Sequence, residues 1–249
     1  MSAPERHHFT TCSSTNQEAA DRAREGAPAW TVVTAEEQTA GRGRLDREWV
    51  SPRGNLHVSV VLRPSVAASR AAGIALVAAV ATAEAIGQFV DPRELEVKWP
   101  NDVLLKGRKV AGILAELETR GDAIDWLVIG IGVNVSPPSE ALEGALEKRA
   151  VALSSVSEEA VSLQDLCVAI LERLQIGLTK FEERSGKLDP GEWSGWSKEG
   201  RRVRHGEGSE RIEATALGIT PDGALRLAAA DGTELVVVAW DVIPLHWEE

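Results

Sequence analysis

A cation, an amide and a carboxylate fall within five consecutive residues at Lys98-Trp99-Pro100-Asn101-Asp102. The proline takes the chain out of regular strand pairing, so these polar groups stand at a strand end. Asp102 could there orient a nucleophile or hold Mg2+ through water, because carboxylates suit that hard cation; it could equally be a turn residue. Further on, Arg108-Lys109 precedes the apolar run Val110 to Leu114. Lys109 is therefore expected at the mouth of the core, its stem buried and its ammonium placed to neutralise a reacting anion. Taken alone, it could also be an edge lysine that discourages strand-to-strand association.

A second group, Gly41-Arg42-Gly43-Arg44 with Arg47 and Trp49, concentrates positive charge in an acidic chain. Glycine admits positive φ and close approach of backbone N–H groups, and each guanidinium offers a planar donor fork to phosphate or carboxylate. The loop is not a dinucleotide fingerprint, since Asp46 stands where the third glycine belongs. Gly130-Ile131-Gly132-Val133-Asn134 ends an apolar run with two glycines, places where a ligand or another backbone comes close.

A formal net charge of −11 works against general affinity for phosphate backbones. Any basic site is local, and no nucleic-acid partner is expected. Cys12 and Cys167 lack the paired spacing of a zinc site or a disulfide framework, so both are expected as free thiols in a cytoplasmic protein. The uncharged run Ala71 to Ala83 has 13 residues, short of the roughly 20 that span a bilayer. The polar first residues do not form a signal peptide, and no membrane partner is expected.

The elements that must position these groups follow from periodicity. Thr15-Asn16-Gln17-Glu18 has the capping-box form and opens a helix to about Gly26. Strands are expected at Trp30 to Ala35 and Asn55 to Leu62, with the basic loop between them, then a long alanine-rich helix over Ala67 to Val90. Leu95 to Trp99, Asp102 to Leu105, Val110 to Glu118 and Trp126 to Val135 build further sheet, with a hairpin turn at Lys106-Gly107. Pro137-Pro138 breaks that pattern. An amphipathic helix follows a Ser162 cap, its apolar face running from Leu163 to Phe181. Short strands around Arg211 to Leu217, Ala224 to Ala229, Glu234 to Val238 and Val242 to Leu245 predict a small β-barrel.

Five segments occur together in a distinctive order and spacing: Ser13-Ser14-Thr15-Asn16; Gln38 followed by Gly41-Arg42-Gly43-Arg44; Lys98 to Asp102; Arg108-Lys109-Val110-Ala111-Gly112-Ile113-Leu114; and Gly130 to Asn134. In this the chain resembles the biotin–protein ligase family from about Phe9 to the C-terminus. The joint occurrence decides between readings that each motif alone leaves open. The resemblance implies an α+β fold, with a mixed-sheet catalytic domain similar to class II aminoacyl-tRNA synthetases over residues 1–198 and an SH3-like barrel over 199–249. It implies that Ser14, Thr15, Asn16, Gln38, Gly41, Arg42, Gly43, Arg44, Lys109 and Gly112 line biotin. Arg44, Arg47, Trp49, Lys98, Asn101, Asp102 and Asn134 would face ATP, its Mg2+ or the adenylate, with no dedicated protein metal site. Lys109, Arg44 and Asp102 would carry the chemistry.

The implied reaction has two steps. Biotin's carboxylate attacks the α-phosphorus of ATP, releasing pyrophosphate and leaving biotinyl-5′-AMP, with Lys109, Arg44 and Mg2+ offsetting charge. A lysine amine on a biotin carboxyl carrier domain then attacks the mixed anhydride, and Asp102 orients or deprotonates it. A lipoate–protein ligase or acyltransferase is the alternative with a similar fold, and the basic loop favours biotin. A non-enzymatic nucleic-acid-binding module is disfavoured by the net charge. Two departures from the family stand out. Asp46 occupies a position where many members have Gly, so the loop is expected to order differently around the adenylate. His246 falls where some members place an Arg, which argues against a C-terminal contact to ATP. Longer members carry an N-terminal helix-turn-helix; with its first motif inside the first 16 residues, this chain is expected to be a short form, a monomer or weak homodimer.

Overall fold

The run Leu56-His57-Val58-Ser59-Val60-Val61-Leu62 forms a strand in which all seven residues are buried. Its two faces are covered by different helices, which is why its apolar pattern is continuous rather than alternating. The computed structural model describes residues 5–137, 149–197, 199–206, 212–238 and 242–244, with backbone only at 46 and 242–244. Pro138, Arg211, Leu245, His246 and the side chain of Asp46 lie outside the described residues.

In chain order the elements are β1 (Arg6–Cys12), α1 (Thr15–Arg24), β2 (Val32–Gln38), β3 (Leu56–Leu62), α2 (Ala71–Ile86), β4 (Leu95–Lys98), β5 (Asp102–Leu105), β6 (Arg108–Arg120) and β7 (Ala123–Val133). There follow α3 (Leu163–Glu183), α4 (Pro190–Ser194), β8 (Arg202–His205), β9 (Ile212–Ile219), β10 (Leu225–Ala229), β11 (Glu234–Val237) and β12 (Val242–Pro244). A seven-stranded sheet runs β1-β2-β3-β7-β6-β5-β4, and a five-stranded sheet runs β11-β10-β9-β8-β12. The first is mixed: β1 pairs with β2 in parallel, while β2 with β3 and β3 with β7 are antiparallel. The fold is thus α+β, with a small antiparallel β-domain at the C-terminal side.

Val58, Val60 and Leu62 join the main core with residues of α2 and α3. Val61 points the other way and packs with Ala19, Ala20 and Ala23 of α1 and with Trp126. One sheet face therefore belongs to α1 and the other to α2 and α3. Glycines on both helices let α2 and α3 approach closely: a Cβ on Gly73 of α2 would come 2.8 Å from Phe181, and one on Gly177 of α3 would come 2.8 Å from Val77. The segment Ala68–Ile86 is long and apolar enough to cross a membrane by length and composition, a wider window than the uncharged run alone indicates. Here its apolar residues form core.

The structure corrects several expectations. Helix α1 starts at Thr15, and Ser14 occupies the cap position without a side-chain cap bond; the capping box does not form because Thr15 is turned to Gln38. The long second helix ends at Ile86, capped by Gly87, rather than at Val90. Strand β1 was not anticipated: Arg6–Cys12 is largely exposed and shows no apolar period. The short helix α4, inside a Gly- and Trp-rich stretch over residues 186–200, and strand β8 just after it are not evident from the sequence pattern.

Candidate active site

The site lies on the α1 face of the large sheet, where the helix ends and the sheet is uncovered. Polarity begins inside β3. Ser59 interrupts an apolar strand, is fully buried, and places its Oγ 2.8 Å from Thr15 Oγ1 and 2.7 Å from Asn16 Oδ1. Gln38 Oε1 accepts from Thr15 N at 2.7 Å and from Thr15 Oγ1 at 3.0 Å, while Gln38 Nε2 donates to Ser51 Oγ at 2.7 Å. Asn16 Nδ2 donates to Glu116 Oε2 at 2.7 Å. Gly130 pairs in register with Ser59, and a Cβ there would overlap the Asn16 amide. Close approach, not backbone conformation, requires that glycine.

Charge gathers on β4, β5 and β6. Strand pairing slips between Val103 and Leu104, so that Val103 faces Ala111 while Leu104 faces Lys109. The extra residue is Val110, buried in the main core beside Ala111. This bulge turns Lys109 onto the face of Gly112, into the cleft, where simple alternation would have sent it into the helix-covered core. There Lys109 Nζ meets Asp102 Oδ1 at 2.6 Å, and Lys98 Nζ meets Asp102 Oδ2 at 3.0 Å. Burial opposes ionisation of Asp102, but the two adjacent ammoniums outweigh it and hold the carboxyl at about 2.

The basic loop folds back as a small hairpin. Trp49 N donates to Gly41 O at 2.9 Å and Gly43 N to Arg47 O at 2.7 Å. Arg42 reaches Glu116 at 3.0 Å, and Arg44 Nη1 reaches Asn101 Oδ1 at 3.4 Å. The Trp49 indole packs against Gly132, where a Cβ would be 2.5 Å from its Nε1, and Lys109 Nζ stands 5.1 Å from its ring centroid, in cation–π range. Beneath the loop, His57 Nε2 approaches Pro52 O at 3.3 Å, while Nδ1 is buried without a partner. Burial pushes the His57 pKa down, against a smaller upward pull from the Pro52 carbonyl, which leaves the ring a neutral donor–acceptor.

These groups enclose one cleft of about 140 Å3. Of the residues expected at biotin, all but Gly41 line it; Gly41 lies behind, where a Cβ would come 2.5 Å from Ser51 Oγ. Of those expected at ATP, Arg44, Arg47, Trp49, Asn101 and Asp102 line it. Lys98 stands behind Asp102. Asn134 supports the backbone of β6, its N donating to Val110 O at 2.8 Å and its Nδ2 approaching Lys109 O at 3.4 Å. Sequence reasoning missed Ser59, His57, Glu48 and Glu116. The signal for the first two was present, as polar residues inside a buried apolar strand. No group of three or more His, Cys, Asp or Glu able to hold a metal occurs among the described residues.

The profile of the Biotin/lipoate A/B protein ligase family matches residues 9–134, and that of the Biotin protein ligase C terminal domain matches residues 200–242. The chain is 33% identical over 251 residues to the biotin–[acetyl-CoA-carboxylase] ligase of Mycobacterium tuberculosis, covering 94% of this chain and 86% of that one. It is 32% identical over 233 residues to the bifunctional ligase/repressor BirA of Bacillus spizizenii, covering 91% of this chain and 70% of the relative. Among solved structures, the biotin protein ligase of Aquifex aeolicus in complex with biotin and ATP superposes with a TM-score of 0.77 at 27% identity, over 96% of this chain and 97% of that one. The extent of these matches, laid over a single cleft that gathers the motif residues, shows that the chain belongs to the Biotin/lipoate A/B protein ligase family.

Proposed function

We propose that the protein activates biotin with ATP and passes the biotinyl group to a lysine of a biotin carboxyl carrier domain. One observation carries this reading: a single cleft joins a dense neutral hydrogen-bonding group, Thr15, Asn16 and Gln38 backed by buried Ser59, to the cations Lys109, Arg42 and Arg44. Biotin has the matching polarity, a ureido ring at one end and a carboxylate at the other. The apolar dithiolane of lipoate offers that polar end neither donor nor acceptor, whereas a ureido ring offers both.

In the first step Lys109 and Arg44 bring carboxylate and α-phosphate together by offsetting their repulsion, a preorganised electrostatic contribution. Asp102 holds Lys109 in place rather than accepting a proton, because a carboxyl at about 2 is too weak a base for an ammonium. For the second step its remaining role is orientation of the incoming amine. Asp102 is also engaged by two ammoniums and so makes a poor ligand for Mg2+, which enters as MgATP, carried on the substrate's phosphates. Trp49, Asn101 and Arg47 would face the adenylate. The division at about residue 198 would separate this machinery from the β-domain, and the free thiols of Cys12 and Cys167 fit a cytoplasmic setting.

Biotin-dependent ATP–pyrophosphate exchange by the purified protein tests the reading, with lipoate and octanoate as controls. Exchange driven by lipoate and not by biotin would overturn it.

A further inference from the structure

The described residues leave few buried polar side-chain atoms without a hydrogen-bond partner, and three of them surround one place: Trp193 Nε1, Ser197 Oγ and Arg201 Nη1. All three residues line a cavity of about 40 Å3 between the large sheet and the C-terminal β-domain, together with Glu96 of β4. Arg201 Nη2 donates to Glu96 Oε2 at 2.5 Å, with the two side chains only 15% and 5% exposed. The volume exceeds the ~10–15 Å3 that one water needs. The cavity has room for a water that would offer partners to the Trp193 and Arg201 N–H groups and to Ser197 Oγ.

This junction grips the edge strand that carries Lys98. Glu96 and Lys98 are two apart on β4, and alternation sends them to the same face. Glu96 is tied to Arg201, Val97 N donates to Trp196 O at 2.8 Å, and Trp99 Nε1 donates to Gly223 O at 2.9 Å. Lys98 is tied to Asp102, which in turn holds Lys109. We propose that Glu96 and Arg201, joined by their direct ion pair across the junction, are positioning residues that set β4 so that the Lys98–Asp102–Lys109 chain holds its ammonium in the cleft. The proposal rests on the biotin-activation reading for its kinetic consequence.

The test exploits the ambivalence of buried ion pairs, which apolar residues of similar volume often replace without loss of stability. The double variant Glu96→Met/Arg201→Met is expected to unfold at or above the wild-type temperature, yet to lose at least tenfold in kcat for biotin-dependent exchange with KM for biotin unchanged. Arg201→Lys, which keeps the charge but not the planar fork, should show the same split and serves if the double variant fails to fold. The 15Nζ resonances of Lys98 and Lys109 in the unliganded protein should shift in either variant. A folded variant with exchange within twofold of wild type and unmoved lysine resonances would overturn the proposal. Absence of exchange in the wild type would instead sink the biotin reading, and the resonances alone would then decide the positioning claim.

Discussion

Lys109 Nζ lies 2.6 Å from Oδ1 of Asp102, a residue whose other carboxylate oxygen is already held by Lys98. The carboxylate stands on β5, between the strands that carry the two lysines. One buried anion thereby orients two cations and lowers the cost of burying either. The arrangement leaves one net positive charge at the cleft, which suits a site where two anions must meet.

Lys109→Ala should abolish adenylation and spare the fold. Asp102 keeps Lys98 as a partner in that variant, so no buried charge is stranded, and Lys109 itself is 29% exposed at the side chain. Removing one preorganised charge donor typically costs about 100- to 1,000-fold in rate. Biotin-dependent exchange should fall by that order while the thermal midpoint moves only a few degrees. A folded variant with near-normal exchange would remove Lys109 from the chemistry.

Asp102→Asn should behave in the opposite way, with a loss of stability that depends on pH. The two ammoniums hold the folded carboxyl down at about 2, well below the ordinary aspartate value. Its folded value is depressed, so its contribution is complete above about pH 4 and is lost as pH falls toward about 2, on the order of 2 kcal/mol. At neutral pH the variant removes the carboxylate that both ammoniums share, a loss of roughly 3 kcal/mol or more. Urea midpoints measured from pH 2 to 7 should rise with pH in the wild type and rise less in the variant. Parallel curves would show that the pair of ammoniums does not set the titration.

Gly130→Ala tests the polar end of the cleft. The added methyl overlaps the Asn16 amide, which must swing away from Ser59 and Glu116, while the sheet register of β3 and β7 persists. Displacement of about 1 Å at a binding group can cost on the order of 100-fold. The expected result is a KM for biotin raised by roughly 10- to 100-fold, with KM for ATP little changed. Equal increases in both constants would mean that the sheet itself had shifted.

The sequence makes the contact residues of this site legible because close approach constrains residue type: Gly130, Gly132 and the Gly41-Arg42-Gly43-Arg44 loop are visible as letters. The direction in which Lys109 projects is not legible. Period-two alternation sends it with Ala111 toward α2, and only the bulge at Val110 reverses this; nothing in Arg108 to Leu114 announces a bulge. Strand β1 is illegible for a related reason, since an exposed edge strand needs no apolar period and is held by parallel pairing to β2. Ser59 and His57 could have been found, because a buried strand admits polar residues only where something meets them.

The loop from Gly41 to Trp49 should tighten when ligand arrives. The loop is a short hairpin closed by an Arg42–Glu48 backbone β-bridge, anchored mainly by Trp49, while Leu45 at its tip is 63% exposed and sits at φ 56°. Little apolar surface holds the tip, so its ordering entropy meets few compensating contacts. Arg42 and Arg44 would gain charge-assisted hydrogen bonds to a bound carboxylate or phosphate, and the closed loop would shield a hydrolysable mixed anhydride from water. Amide exchange across Gly41 to Trp49 should therefore slow on adding biotin and ATP. Arg44→Gly removes the contact to Asn101 together with the ligand contact, and adds a flexible residue at the hinge of the tip. That variant is expected to form some biotinyl-AMP but release it faster, so that nearby lysines of unrelated proteins become labelled. Equal amide exchange with and without ligand, together with unchanged release from Arg44→Gly, would show that the loop is preformed and does not retain the intermediate.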